Sequence, residues 1–437
     1  MRPWKCPPGQ HMGKSKKRIL YLCADSGISF GGTKGAAIHI REFVETLSGG
    51  GYDVVAAVSK KEKELTFETA YPVHVLPEAS FYAHANIAEM GADEKKTLKE
   101  AGEYFRNEKT IDVLLKLHQR SPFDLIYERY SLFGIAGRLA ADTLGLPFIL
   151  EVNAPLVYEA GRYRKLHQVG LAKSIESFLF SKADHLVAVS SGLQEYILKI
   201  APQAKISVIP NGVSLENFDS AESSVDWRKK LTRHPDTDFI IGFVGSIKPW
   251  HGVEVLIAAL ANLHTEDEQC SLCIVGNGDK NYQSQLEAQC NKSGLKHRVN
   301  FFGAVPYESI PAVMKSMDVL VAPYPEMENF YFSPLKIFEY MASGRPIVSS
   351  SIGQINDVLT NEKNALLVPA GDTKALSQAL IRLKHDSQLS KGLSRAAYDE
   401  VRRKHLWRHR LEKIKEIMEC LNLANAKPDN SNYANKL

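Results

Sequence analysis

Residues 239–264 read FIIGFVGSIKPWHGVEVLIAALANLH. An apolar run stops at Gly245, a loop carrying Lys248 and His251 follows, and an apolar helical pattern opens after Gly252. A continuous apolar run, rather than an alternating one, marks a strand covered on both faces. Strand, glycine-bearing loop and helix in that order make one βα unit of a parallel sheet.

The same order recurs on both sides of this stretch. Downstream come SLCIVGNG (271–278), VNFFG (299–303), DVLVAPY (318–324), PIVSSS (346–351) and NALLVPAG (364–371), separated by helical segments. Upstream, RILYLCA (18–24) is followed by GAAIHIREFVETL (35–47), where Ile40, Phe43, Val44 and Leu47 share one helical face. DVVAAVS (53–59), FDLIYER (123–129), PFILEV (147–152) and DHLVAVS (184–190) then alternate with helices such as LFGIAGRLAADTLG (132–145). The pattern predicts an α/β protein with two Rossmann-like βαβ domains, over 17–206 and 207–393, joined through 191–238. A helical stretch follows over 394–422; a flexible leader (1–16) and a disordered polar tail (423–437) flank the whole. Two doubly wound sheets are expected to direct their carboxyl ends at an interdomain cleft, where such sheets bind ligands.

Bulk composition narrows the classes. At 437 residues the chain exceeds one ordinary core, and 44% hydrophobic with 24% charged residues is globular composition. A net charge of +4 is too mild for a nucleic-acid footprint. No apolar run is long enough to span a bilayer, and the basic leader MRPWKCPPGQHMGKSKK lacks the apolar core of a secretory signal. Cys6, Cys23, Cys270, Cys273, Cys290 and Cys420 follow no framework spacing, which fits a reducing cytoplasm. Cys270 and Cys273 form a lone CxxC on a strand, with no second pair for zinc.

Three strand ends carry glycines: DSGISFGGTKG (25–35) with Gly31 and Gly32, GSIKPWHG (245–252) with Gly245, and GNG (276–278) with Gly276. Glycine lets backbone N–H groups approach an anion at a helix N-terminus. The first loop reads equally as a flexible turn; the three together point to a phosphorylated ligand, a nucleotide. NFYFSPLKIFEYMASGRPIVSS (329–350) adds a helix with Ser333 as N-cap and Pro334 at its first position. Ile337, Phe338 and Met341 form its buried side, with Lys336, Glu339 and Tyr340 together on another. Lys336 and Glu339 read either as an exposed i, i+3 pair or as a phosphate cation beside a carboxylate that accepts a ribose diol.

These motifs, with VIPNGV (208–213) and FEYMASGRPIVSS (338–350), resemble the GT4 family of retaining glycosyltransferases of the GT-B fold, over nearly the whole chain from about 17 to 420. The resemblance implies a C-terminal helix crossing back to the N-terminal domain. It also implies a metal-independent, retaining hexosyltransferase taking a UDP- or GDP-sugar as donor substrate, with no other cofactor. Glu339 matches the family's ribose-binding glutamate. The usual sugar-reading glutamate eight positions earlier falls on Tyr331. Phe332, Ser333, Pro334 and Leu335 match the donor-binding loop. The family's cationic pair falls on Ser246 and His251, which leaves Lys248 and Lys336 to meet pyrophosphate charge. In EVNAPLVYE (151–159), Asn153 reads as a sugar or acceptor contact or as a loop-ordering residue, and Glu151 as a strand-end carboxylate held by arginine or backbone rather than as a double-displacement nucleophile.

The implied acceptor is a hydroxyl, lipid-linked or carbohydrate, in glycan, glycolipid or polysaccharide synthesis. The implied location is cytoplasmic. Arg162, Arg164, Lys165 and His167 read as a basic patch for peripheral membrane association or as a solvated helix face. Asp236-Thr237-Asp238 precedes a strand and reads as a turn rather than a metal site. A GT-B nucleotide-sugar 2-epimerase, an inverting transferase and a non-catalytic binding protein remain as alternatives. A nicotinamide oxidoreductase lacks its GxGxxG after the first strand.

Overall fold

The computed structural model describes residues 16–78, 89–219, 225–264 and 269–424. The leader expected over 1–16 lies outside them except for Lys16, as do Cys6 and the tail from 425 on. Two compact units are present, with changeovers at Pro210/Asn211 and Trp407/Arg408 and the short segment Thr33–Gly35 grouped with the second.

In the first unit, β1 (Arg18–Cys23), β2 (Asp53–Val58), β3 (Val73–Val75), β4 (Leu125–Arg129), β5 (Phe148–Val152), β6 (His185–Ala188) and β7 (Ile206–Val208) form one sheet. Its order is 3-2-1-4-5-6-7, and all neighbouring strands run parallel. In the second unit, β8 (Phe239–Val244), β9 (Cys270–Val275), β10 (Val299–Gly303), β11 (Val319–Ala322), β12 (Ile347–Ser351) and β13 (Leu366–Pro369) follow the order 10-9-8-11-12-13. These too are all parallel. Each sheet therefore reverses its winding direction once, between β1 and β4 and between β8 and β11. Ligands of doubly wound sheets bind at the strand carboxyl ends beside that reversal.

Continuous apolar strands follow from burial on both faces. In the second unit Ile240, Val244, Leu320 and Ala322 pack with Ile337, Phe338 and Met341 of helix Leu335–Ser343. Their strand neighbours Ile241, Phe243, Val319 and Val321 face the opposite way, onto Val253, Leu256 and Leu260 of helix Val253–His264. Each such buried side chain contributes about 1.5–3 kcal/mol relative to exposure. Helix Leu335–Ser343 stops where Gly344 takes the left-handed conformation (φ 68°), which a side chain would resist.

The expected elements differ in four places. Strands β3 and β7 carry no strong pattern because each is three residues long; β7 lies inside the stretch read as a joining segment. Helix Ala92–Arg120, with 29 residues, has too polar a surface to announce itself. The helical stretch over 394–422 is two helices, Ser387–Lys404 and Trp407–Ala424, parted at His405–Leu406, where Leu406 pairs with Val213. The changeovers accordingly fall at 210/211 and 407/408 rather than at 206/207 and 393/394, and only the second helix, from Arg408, groups with the first unit.

Candidate active site

Strand β8 ends at Val244, and the next two loops are stitched together. Gly245 N–H donates to Val275 O (2.9 Å) and Ile247 N–H to Asn277 O (2.9 Å). Gly245 and Gly276 both take φ 142°, and a Cβ on Gly276 would fall 2.0 Å from Gly245 O. Glycine is demanded here by backbone packing against backbone. The result is a side-chain-free floor at the end of β8.

Over that floor stands helix Leu335–Ser343, fixed by Tyr340. The Tyr340 hydroxyl accepts from Val244 N (2.9 Å) and donates to Val244 O (3.1 Å). One turn earlier, Lys336 is thereby carried to Gly245: a Cβ on Gly245 would lie 3.0 Å from Lys336 Nζ. Lys336 is 8% exposed, and its Nζ has no hydrogen-bond partner among the described residues. Two ring faces approach it, Phe243 at 4.1 Å and Tyr324 at 5.7 Å. Burial lowers its pKa to about 7, against the opposing pull of Glu339. Glu339 keeps partial exposure; burial raises its pKa to about 7, with Lys336 drawing it down. The two form no direct ion pair, which removes the reading of an exposed i, i+3 salt bridge. An ammonium held in this way, without a protein partner, is prepared for an anion.

His251 is not part of that charge. Its Nδ1 lies 2.6 Å from Ser246 O, and burial, then Lys336, lower its pKa to about 3. The ring is therefore neutral, with Nδ1–H used on Ser246 and its edge on Tyr324. His251 thus serves this loop as a neutral hydrogen-bond donor, in keeping with the family's cationic pair being absent at Ser246 and His251; Lys248, beside Trp250, remains at the loop as a cation. Ser246 is exposed.

The loop before the helix also departs from expectation. Ser333 is not the N-cap. Pro334 occupies that position, with no side-chain cap, and Ser333 Oγ accepts from Asn211 N–H (3.0 Å). Tyr340 does not share a polar face with Lys336 and Glu339; it is fully buried. Tyr331 is 6% exposed, its ring 4.4 Å from that of Phe332. Phe330 bridges Phe332 (5.4 Å) and Tyr324 (5.1 Å). An aromatic pack therefore surrounds Tyr331, the position on which the family's sugar-reading glutamate falls, and Leu335 opens the helix.

In the first unit, the loop after β1 is held by Phe30, which exchanges backbone hydrogen bonds with Lys60 and Glu62 (both 2.9 Å). Gly31 (φ 86°) and Gly32 follow it directly, ahead of helix Gly35–Gly49. At the ends of β4 and β5 a buried network surrounds Glu151. Tyr127 OH donates to it (2.6 Å), Asn153 Nδ2 donates to it (2.7 Å), His39 Nε2 lies at 3.1 Å and Arg129 at 3.6 Å. Arg129 also approaches His39 Nδ1 (3.1 Å), and burial lowers the His39 pKa to about 4. A neutral imidazole accepting from Arg129 and donating to Glu151 satisfies all of these contacts. Glu151 is thus a held strand-end carboxylate, and Asn153 is turned toward it, leaving Oδ1 without a partner among the described residues. His39 was not anticipated; a polar residue on the inward face of an apolar helix was the available signal.

The basic segment after β5 is largely neutralised within its own unit. Lys165 pairs with Asp93 (2.7 Å), Arg164 with Glu159 (3.0 Å), and the backbone N–H groups of His167 and Gln168 donate to Glu100. Asp238 is buried against Arg298 (3.2 Å) and Thr232, and Thr237 closes the expected turn onto His234. Cys23, Cys270, Cys273 and Cys290 are buried thiols; Cys6 lies outside the described residues.

Two family models match the chain, one described as Glycosyltransferase Family 4 over residues 33–217, the other as Glycosyl transferases group 1 over 238–386. Among curated relatives, the Escherichia coli UDP-Gal:alpha-D-GlcNAc-diphosphoundecaprenol alpha-1,3-galactosyltransferase is 27% identical over 64% of this chain and 72% of its own. The 2-deoxystreptamine glucosyltransferase of Streptomyces kanamyceticus is 26% identical over 62% and 71%. The phosphatidyl-myo-inositol mannosyltransferase of Mycobacterium leprae is 33% identical over 45% of this chain and 48% of that one, so about half of that relative is spanned. Among solved structures, a sucrose-phosphate synthase from Thermosynechococcus elongatus superposes with TM-score 0.73 at 21% identity, over 94% of this chain and 100% of that one. Anabaena HepE in complex with UDP-glucose gives 0.69 at 19%, over 92% and 99%. At these identities the structures speak for the fold alone.

Proposed function

The chain belongs to family 4 of the glycosyltransferases, on the GT-B fold, and from that premise we propose that it transfers a hexosyl unit from a UDP- or GDP-sugar to a hydroxyl acceptor with retention at the anomeric carbon. The observation that carries this reading is the buried Lys336 ammonium, without a hydrogen-bond partner among the described residues, above the Gly245 floor, with the Glu339 carboxylate one turn further along the same helix. A nucleoside diphosphate supplies the two groups this pair lacks, a pyrophosphate for Lys336 and a ribose diol for Glu339. Lys248, at the same loop, adds a second cation.

Charge develops on the pyrophosphate as the bond from the anomeric carbon to phosphate oxygen breaks. Lys336, in a low-dielectric setting, stabilises that charge more strongly than an exposed lysine could. The acceptor oxygen bonds to the same face of the anomeric carbon, and its proton passes to the departing phosphate oxygen. No protein nucleophile is needed, and the pyrophosphate charge is assigned to lysines rather than to a metal ion. Glu151, enclosed by Tyr127, His39, Asn153 and Arg129, serves to order its strand end, where Asn153 is the group nearest in kind to an acceptor contact.

The named relatives act on lipid diphosphate, inositol-lipid and aminocyclitol acceptors, which supports a lipid-linked or carbohydrate hydroxyl as acceptor, in glycolipid or polysaccharide synthesis. No helix among the described residues is long and apolar enough to cross a membrane, which is compatible with the proposed cytoplasmic, peripheral placement. The deciding experiment offers the purified chain a panel of UDP- and GDP-sugars with candidate acceptors and reads diphosphate release and product anomeric configuration. One donor should give acceptor-dependent release with retention. Release of no diphosphate from any donor, or an inverted product, overturns the reading.

A further inference from the structure

The aromatic loop that leads into helix Leu335–Ser343 is tied to a residue far away in sequence. Asn211 donates twice to Ser333, from its backbone N–H to Oγ (3.0 Å) and from Nδ2 to the carbonyl oxygen (2.6 Å). Both residues are buried, at 8% and 6% exposure. The helix has no side-chain cap of its own. Its starting point therefore depends on what holds Ser333, and a seryl hydroxyl that would ordinarily cap the helix is taken by Asn211 instead.

Asn211 is itself anchored. It is the first residue of the second unit after the changeover, and its neighbours knit the two ends of that unit together. A Cβ on Gly212 would fall 2.8 Å from Trp407 N, so the backbones touch. Val213 N–H donates to His405 O (3.2 Å) and Trp407 N–H to Val213 O (3.3 Å). Phe338, on the same helix as Lys336 and Glu339, packs its ring 5.5 Å from that of His405. Residues 211–213, residues 405–407 and the 330–334 loop thus form one braced corner.

We infer that Asn211 is a positioning residue for the nucleotide-sugar donor, holding Ser333 so that the start of helix Leu335–Ser343 keeps Lys336 and Glu339 at the end of β8. This inference rests on the transferase reading above. With Asn211 replaced by alanine, the Ser333 carbonyl loses its donor while the residue-211 N–H still holds Ser333 Oγ; with Ser333 replaced by alanine the hydroxyl tie is lost and the carbonyl tie remains, so each variant cuts one of the two bonds that hold the helix start.

The test compares Asn211→Ala, Ser333→Ala, Ser333→Thr and the Asn211→Ala/Ser333→Ala double variant with wild type. Donor affinity is read by calorimetry, KM and kcat by diphosphate release, and folding by thermal melting. Asn211→Ala and Ser333→Ala should each raise donor Kd and KM about tenfold, a change expected of a lost buried hydrogen bond, with kcat within about threefold. Ser333→Thr, which keeps the hydroxyl, should return KM to near wild type, and the double variant, which cuts both bonds, should bind donor more weakly than either single one. Wild-type donor affinity in Asn211→Ala, a double variant no worse than Ser333→Ala alone, or kcat falling in step with the folded fraction overturns the inference. Should wild type and Glu339→Ala prove alike in binding none of the nucleotide sugars, the transferase reading falls and this inference with it.

Discussion

Lys336 Nζ stands 4.1 Å from the centroid of the Phe243 ring. Phe243 belongs to strand β8 and Lys336 to helix Leu335–Ser343, and Tyr340 bolts that helix to the very next strand residue, Val244. The ammonium is thereby presented at a strand end with ring faces around it and no carboxylate in contact. Such an arrangement costs stability in the free protein and recovers it when an anion arrives.

Replacing Lys336 by methionine keeps the length of the side chain and removes the buried charge. Lys336→Met should raise thermal stability, by about 1–3 kcal/mol near neutral pH, and weaken binding of a nucleoside diphosphate at least tenfold. Melting curves and calorimetry with UDP and GDP check both halves. A variant that binds as wild type does, or that is less stable, contradicts the role given to Lys336.

Glu339 offers the second handle. Glu339→Ala removes an acceptor of two ribose hydrogen bonds, and charged acceptors of this kind are worth about 1.5–3 kcal/mol, so affinity for the donor nucleotide should drop tenfold or more. Far-ultraviolet circular dichroism should stay that of the wild type. Unchanged affinity would remove the ribose assignment.

The two groups also set a pH response. Glu339 holds its proton to about 7 in the folded chain and to 4.5 in the unfolded one, so its contribution to stability is full below 4.5 and is lost as pH rises toward 7. Lys336 releases its proton near 7 when folded and near 10.5 when unfolded; the unfolded chain binds more protons between those values, and stability recovers across that window. Donor binding needs Lys336 charged and Glu339 ionised, conditions that fail on opposite sides of neutrality. The kcat/KM for donor should therefore follow a bell centred near pH 7, and Glu339→Gln should flatten its acidic limb. A profile rising steadily from pH 5 to 9 is incompatible with this pair.

Much of this site can be read from sequence, and the parts that cannot share a cause. Apolar runs locate β1 and β8, and β9 with Ser271 as its one interruption, because burial on both faces leaves little room for polar side chains. Glu339 and the glycine loops are local signals at strand ends. Ser333 misleads because its local pattern is that of an N-cap while its partner, Asn211, lies 122 positions away. Lys336 reads as a surface residue because nothing in its own helix reveals that Phe243 and Tyr324 enclose it. His39 joins Glu151 and Arg129 only once three separate elements are folded together. Nonlocal pairing, in each case, overrides a sound local reading.

Tyr340→Phe tests the bolt itself. Loss of the hydroxyl leaves the buried Val244 N–H and C=O without that partner, which should cost about 1–3 kcal/mol and loosen the helix start. Melting temperature should fall and donor KM rise together. Retention of both would show that apolar packing alone places the helix.

Glu128, in the first unit, gives a stability test independent of the donor site. It lies on β4 at 1% exposure, and burial pushes its pKa up to about 8, with the Gly137 backbone amide pulling the other way. The folded chain keeps this proton between 4.5 and about 8 while the unfolded chain loses it, so its contribution to stability is whole below 4.5 and declines as pH rises through 8. Glu128→Gln keeps the shape and removes the titration. Other groups titrate in the same range, His39 and His185 with lowered pKa values among them, so the informative quantity is the stability difference between variant and wild type at each pH. That difference should grow in favour of glutamine from pH 5 to 8.5, with a slope no steeper than about 1.4 kcal/mol per pH unit. A difference independent of pH would mean that Glu128 is ionised in the fold and held by a partner that glutamine satisfies equally.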